Sequence, residues 1–241
     1  MEPRRNTIRA CMEADRKAMG LHMRFAAPPV IELCADQGLD FVYLDIENGS
    51  FELREIEDSC RSAEIAGLTT IARVPRCDPW LIGQVLNLGV QGIIVPHVST
   101  ASEAEAAVQA CFYPPLGERG YIAGARANRY SSSQADFRDY YAAANAQITL
   151  TVQLEDAEAL RNCAAIAAVP GITYFTVGKQ DLALSMGRER QPTGFDPEVL
   201  AAAGQIEAAV RAAGGKMKDD VMMIGRLAEF VRHGIRAMAE K

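Results

Sequence analysis

Several settings are excluded by what this sequence has little of. Its six cysteines, Cys11, Cys34, Cys60, Cys77, Cys111 and Cys163, include no Cys-x-x-Cys pair, which removes zinc ribbons and thioredoxin-type redox motifs. Most fall in apolar helical patterns, where a free thiol behaves as a small hydrophobe, so reduced, structural thiols are expected. No stretch approaches the roughly 20 apolar residues of a membrane span. The opening MEPRRNTIRACMEADRKAMG is charged throughout and has no apolar signal-peptide core, so the expected setting is cytoplasmic. With 25 Lys and Arg against 31 Asp and Glu, the formal charge is -6, which argues against a nucleic-acid partner. No Gly-x-Gly-x-x-Gly follows the first apolar run, which speaks against a dinucleotide fold. Histidine is scarce as well: His22, His97 and His233 are the only three.

What is present is an alternation of short apolar runs with stretches of helical period, the pattern of a parallel sheet crossed over by helices. Eight runs qualify as strands: AMGLHMRF, DFVYLDIEN, TTIARVP, QGIIVPHV, QITLTVQLE, ITYFTVGK, KMKDDVM and IRAMAEK. Eight such units in 241 residues predict a single α/β domain over 1–241, a (β/α)8 TIM barrel, with a doubly wound sheet as the alternative. The eighth strand runs into the chain end with no final C-terminal helix after it. One side of the barrel is then covered by another chain or left bare, and a homo-oligomer is expected. Two long connections, YPPLGERGYIAGARANRYSSSQ and DLALSMGRERQPTGFDP, have the length of functional lids.

Barrel chemistry sits at the C-terminal ends of strands. Those ends carry His22, then Asp45, Glu47 and Asn48, then Arg73, His97, Gln153 with Glu155, and finally Lys179, Gln180 and Asp181. Glu155 and Asp181, on neighbouring strands, are hard oxygen donors of the kind that suit Mg²⁺ or Mn²⁺. Glu155 and Asp156 also fit the cap and first turn of the next helix, where acids favour the macrodipole. Arg73 fits equally a substrate contact or a buried ion pair.

Six ordered motifs carry a resemblance across nearly the whole chain: LDIEN at 44 to 48, IARVP at 71 to 75, IIVPHVST at 93 to 100, YPPLGERG at 113 to 120, VQLED at 152 to 156 and VGKQDLALSMG at 177 to 187. In them the sequence resembles the HpcH/HpaI family of metal-dependent pyruvate aldolases. The resemblance implies a barrel enzyme, a carbon–carbon lyase acting on a small 2-keto acid through a pyruvate-type enolate. It implies a divalent metal, Mg²⁺, Mn²⁺ or Co²⁺, held by Glu155 and Asp181 with Gln153 beside it. It also implies a catalytic set of Arg73, Asp45, Asn48 and Gln153, with Arg73, Gly178, Lys179 and Gln180 around the substrate.

Three departures qualify the resemblance. Asn48 stands where the family's strand-two motif ends in histidine, and an amide cannot abstract a proton. Lys179 replaces the usual proline of the strand-six turn, and the eighth helix is absent, which puts the hexamer of relatives in doubt. Aldol cleavage needs a base for the substrate hydroxyl; decarboxylation of a β-keto acid such as oxaloacetate, or an enolate-condensing synthase, is therefore an alternative. A non-catalytic homologue serving in binding or assembly is an alternative of another class. His97 and His22 are the candidates for a replacement base; His233 ends a helix, where a cation is favourable in any case.

Overall fold

The computed structural model describes residues 2–130, 137–189 and 194–239. Helices begin where the sequence supplies an acceptor or a proline. Asn6 caps α1 (Thr7–Glu13), its side chain accepting from the backbone of Ile8 and Arg9 at 2.9 and 3.2 Å. After β1 (Ala18–Met23), α2 (Pro28–Asp36) opens on proline. β2 (Phe41–Asp45), α3 (Leu53–Ile65), β3 (Thr69–Arg73), α4 (Pro79–Asn87), β4 (Gly92–Val95) and α5 (Ala101–Cys111) repeat the alternation. A 3₁₀ turn (Arg126–Asn128) and α6 (Phe137–Ala146) lead to β5 (Thr149–Leu154), α7 (Ala157–Ala167), β6 (Tyr174–Val177) and α8 (Lys179–Ser185). The chain continues through α9 (Pro197–Ala212), α10 (Lys218–Val221), β7 (Met222–Arg226) and α11 (Leu227–Ala239).

Among the described residues seven strands pair in parallel, in the order β6-β5-β4-β3-β2-β1-β7, and the sheet curls as part of a TIM-like barrel. Alternation divides the side chains. Ala18, Phe41, Ile71, Ile94, Tyr174 and Met222 point into the concave side, where Ile8 and Cys11 of α1 close the floor. Leu44, Ala72, Ile93, Val95, Leu150 and Val152 pack outward against the helices. Each fully buried Leu, Ile, Val, Phe or Met among them contributes about 1.5–3 kcal/mol against the entropy of ordering the chain. Gly20 is required by the floor, because a Cβ there would meet the Phe41 ring at 2.3 Å. Parallel register then sets His22 opposite Tyr43, Asp45 opposite Arg73, and Gln153 opposite Thr176 towards the β6 edge of the sheet.

Two expected strands are not found among the described residues. KMKDDVM contributes one isolated bridge, Met217 to Phe175, before α10 turns and β7 starts at Met222. The run expected as strand eight lies within α11 as far as Ala239, so the described chain ends in a helix and not in a bare strand. The cause is periodicity: Leu227, Phe230, Val231, Ile235 and Met238 recur at three- and four-residue steps, which places them on one helical face. β6 and β7 form the two edges of the sheet and are not paired with each other, so the barrel is not closed by strands. Of the two long connections, residues 131–134 and 190–193 lie outside the described part. No helix among the described residues is long and apolar enough to cross a membrane.

Candidate active site

The strand ends form a continuous polar network around the mouth. At its centre is Asp45, fully buried at the end of β2. Arg73 grips it with two parallel bonds, Nε to Oδ1 at 2.9 Å and Nη2 to Oδ2 at 2.8 Å. His22 Nε2 approaches Oδ2 at 3.0 Å, the Asn48 backbone N–H donates to Oδ1 at 3.3 Å, and Arg24 Nε lies 3.4 Å from Oδ2. Burial alone would raise the Asp45 pKa; the bonds from His22 and Arg73, and the Arg73 charge, more than offset it and hold the carboxyl well below the usual carboxylate range. Burial likewise works against the Arg73 charge, and Asp45 reverses it, pushing the guanidinium pKa up.

From Arg73 the network runs on to Glu47, 2.9 Å from Nε. Glu47 Oε1 meets His97 Nε2 at 3.0 Å, and His97 Nδ1 lies 3.1 Å from Glu155 Oε1. The His97 backbone N–H donates to the same Glu155 oxygen at 2.9 Å, an arrangement that needs the left-handed φ of 54° adopted by this residue. Gln153 Nε2 donates to Glu155 Oε2. Glu155 is 1% exposed. Its pKa is raised, first by burial and further by the charge of Asp181, against the pull of Gln153 and His97.

The choice between cap and mouth at 155 and 156 divides between the two residues. Asp156 caps α7, its Oδ1 accepting from Ala159 at 2.7 Å, whereas Glu155 turns into the network. Gly178 makes room for it: a Cβ there would come within 2.1 Å of Glu155 Oε2 and 2.9 Å of Gln153 Nε2. Asp181 lies in the first turn of α8, with Lys179 and Gln180 before it. Among the described residues no three or more His, Cys, Asp or Glu side chains gather into a group that could hold a metal ion. A buried carboxylate seated over a glycine, with a like-charged neighbour, fits a hard divalent cation that takes its remaining ligands from water and substrate.

Asp45, Asn48, Arg73, Gln153, Glu155 and Gly178, singled out from sequence, are thus brought into one network, and Asp181 acts on Glu155 through its charge. Lys179 and Gln180 sit beside this network without a bond into it. Sequence reasoning assigned no role to Arg24 or Glu47. The signal was available for both, since each lies within two residues of a strand end.

Comparison with known proteins identifies the family. The family model described as HpcH/HpaI aldolase/citrate lyase matches residues 18–240. A 4-hydroxy-2-oxovalerate aldolase of Novosphingobium aromaticivorans is 41% identical over 183 residues, 76% of this chain and 68% of that protein. A hydroxypyruvate/pyruvate aldolase of Cupriavidus necator is 33% identical over 247 residues, covering 98% of this chain and 88% of the other. A solved HpcH/HpaI aldolase/citrate lyase family protein from Burkholderia cenocepacia superposes with a TM-score of 0.85 at 26% identity, covering 98% of both chains. With its motifs in order along the chain and their side chains converging on one mouth, the protein belongs to the HpcH/HpaI aldolase/citrate lyase family and is a carbon–carbon lyase of the aldolase class.

Proposed function

We propose that the protein is a divalent-metal-dependent aldolase that interconverts a 4-hydroxy-2-keto acid with an aldehyde and pyruvate or a close 2-keto acid. The observation that carries this reading is the buried Glu155 carboxylate above Gly178, made costly by the Asp181 charge and facing Arg73 through Glu47 and His97. Glu155 and Asp181 would hold the cation, and Gln153 fixes the Glu155 carboxylate. When bound, the cation supplies Lewis-acid polarisation of the keto oxygen and anchors the adjacent carboxylate. Arg73 adds a second positive charge, already oriented by Asp45. The pair with Asp45 uses two of the roughly five N–H groups of a guanidinium, so donors remain for the oxygen on which charge develops. Lys179 and Gln180, at the start of α8, would meet the distal part of the substrate.

The names of relatives favour aldol chemistry, with pyruvate or hydroxypyruvate as the enolate partner. Decarboxylation of a β-keto acid needs no hydroxyl base and is the second reading, motivated by Asn48, whose amide rests 3.4 Å from Glu47 and titrates nothing. A purely structural homologue has no use for the strain of a buried, like-charged carboxylate. The setting we propose is a reducing cytoplasm, which suits six free thiols. We also propose a homo-oligomer, with one domain over 1–241 in each subunit, that covers the exposed Phe230, Val231, Ile235 and Met238 of α11.

The test is removal of metal with EDTA followed by assay of pyruvate release from 4-hydroxy-2-oxovalerate. Activity should vanish and return with Mg²⁺, Mn²⁺ or Co²⁺. Full turnover by the metal-free protein would eliminate this mechanism, and borohydride trapping would then ask whether a lysine Schiff base replaces it.

A further inference from the structure

Cleavage of a 4-hydroxy-2-keto acid begins with removal of the hydroxyl proton, and the residue one turn beyond Asp45 is an asparagine. We infer that His22, reaching Asp45 from the neighbouring strand, is the general base of this reaction. The inference rests on the aldolase reading above and adds to it the group that moves the proton.

Three geometric facts carry it. His22 is the last but one residue of β1, its side chain 12% exposed, and its Nε2 lies 3.0 Å from Asp45 Oδ2. Asp45 is held ionised by Arg73, so it accepts and Nε2 donates. A neutral imidazole with its proton on Nε2 carries its lone pair on Nδ1, and the carboxylate therefore fixes the tautomer that a base requires. The Tyr43 ring, 4.7 Å away between centroids, holds the imidazole plane from the side. The dyad is assembled from two adjacent strands, β1 giving the imidazole and β2 the carboxylate that orients it.

The other histidines do not offer this. His97 faces Glu47 with one ring nitrogen and Glu155 with the other, so neither is left for a substrate proton. His233 lies exposed on α11. Asn48 offers only an amide.

The step balances without a further reagent. Nδ1 takes the proton of the C4 hydroxyl, the C4 oxygen becomes the carbonyl of the aldehyde, and the C3–C4 bond breaks. Its electron pair forms the C2–C3 double bond of the enolate, and the charge settles on the C2 oxygen beside Arg73. The enolate then regains a proton at C3 to give the 2-keto acid, and the imidazolium surrenders its proton for the next turnover.

The test compares two reactions of one variant, because decarboxylation of oxaloacetate makes the same enolate without a hydroxyl proton to remove. In His22→Asn, loaded with Mn²⁺, cleavage of 4-hydroxy-2-oxovalerate should lose ~10²-fold or more in kcat. Decarboxylation should fall at least tenfold less, and Mn²⁺ affinity by calorimetry should match the parent. Matched Mn²⁺ affinity shows that the mouth is intact, and His22→Gln serves as the second variant should His22→Asn misfold. Unchanged cleavage, or an equal loss in both reactions, overturns the assignment and makes His22 a structural partner of Asp45. Failure of the unaltered protein to cleave any 4-hydroxy-2-keto acid would instead remove the aldolase reading beneath it.

Discussion

Gly178→Ala adds one methyl group at the point where the proposed metal site is tightest. Gly178 has φ -82° and ψ 81°, close to the inverse γ-turn region that residues with side chains also adopt, so the backbone is not the main obstacle. The added carbon would stand 2.1 Å from Glu155 Oε2, and an ordinary contact begins at 3.4 Å, so the oxygen must retreat by 3.4 - 2.1 = 1.3 Å. Rotation away from the methyl is resisted by the Gln153 bond to the same oxygen and by His97 on the other. Misplacing a positioned group by ~1 Å costs ~10²-fold in catalysis, and disturbing the support of a metal ligand costs ~10 to 100-fold in affinity. A hundredfold loss corresponds to ~2.7 kcal/mol of binding. The metal-free fold should lose less, ~1–3 kcal/mol, the usual cost of overpacking. Titration of Mn²⁺ into parent and variant by calorimetry reads the first quantity; urea unfolding of the metal-free proteins reads the second. A well-folded Gly178→Ala protein that binds Mn²⁺ within about threefold of the parent would refute the placement of the cation at Glu155.

Arg73→Lys keeps the charge but loses the planar fork that Asp45 grips, so kcat/KM should fall severely; an unchanged value would reduce Arg73 to an ion-pair partner. Asp45 sets an acid limit on stability. Its folded pKa lies below the unfolded value of about 4, so its stabilisation is complete above that value and is lost as the pH falls through the folded one. In denaturant titrations from pH 6 down to 3, the parent should lose more stability than Asp45→Asn, and parallel curves would contradict the ion-pair network as drawn.

How much of this was legible in the sequence depended on how far each signal reached along the chain. β1 to β6 follow from apolar runs punctuated by turns, and their ends delivered Asp45, Arg73, Gln153 and Glu155 in the correct order. The C-terminal segment failed because Ile235, Ala237 and Ala239 alternate locally like a strand, while the longer step through Phe230, Val231 and Met238 belongs to a helix. Asp219 and Asp220, acids in the first turn of α10, marked the helical turn that interrupts the expected seventh strand. The pairing of His22 with Asp45 was hidden for a different reason. It spans 23 residues and depends on the lateral register of β1 against β2, which no local pattern encodes.

The parallel register of β1 and β2 has an evolutionary consequence. Parallel strands lay their ends side by side, so a position at the mouth belongs to a place in space before it belongs to a place in the chain. A proton-accepting ring can leave the loop after one strand and reappear on its neighbour, provided that the carboxylate it leans on stays where it is. The floor has no such freedom, since Gly20 and Phe41 interlock atom against atom and a change in one demands a change in the other. One end of the barrel is therefore held as a fixed shape, and the other is an address that different residues can occupy in turn.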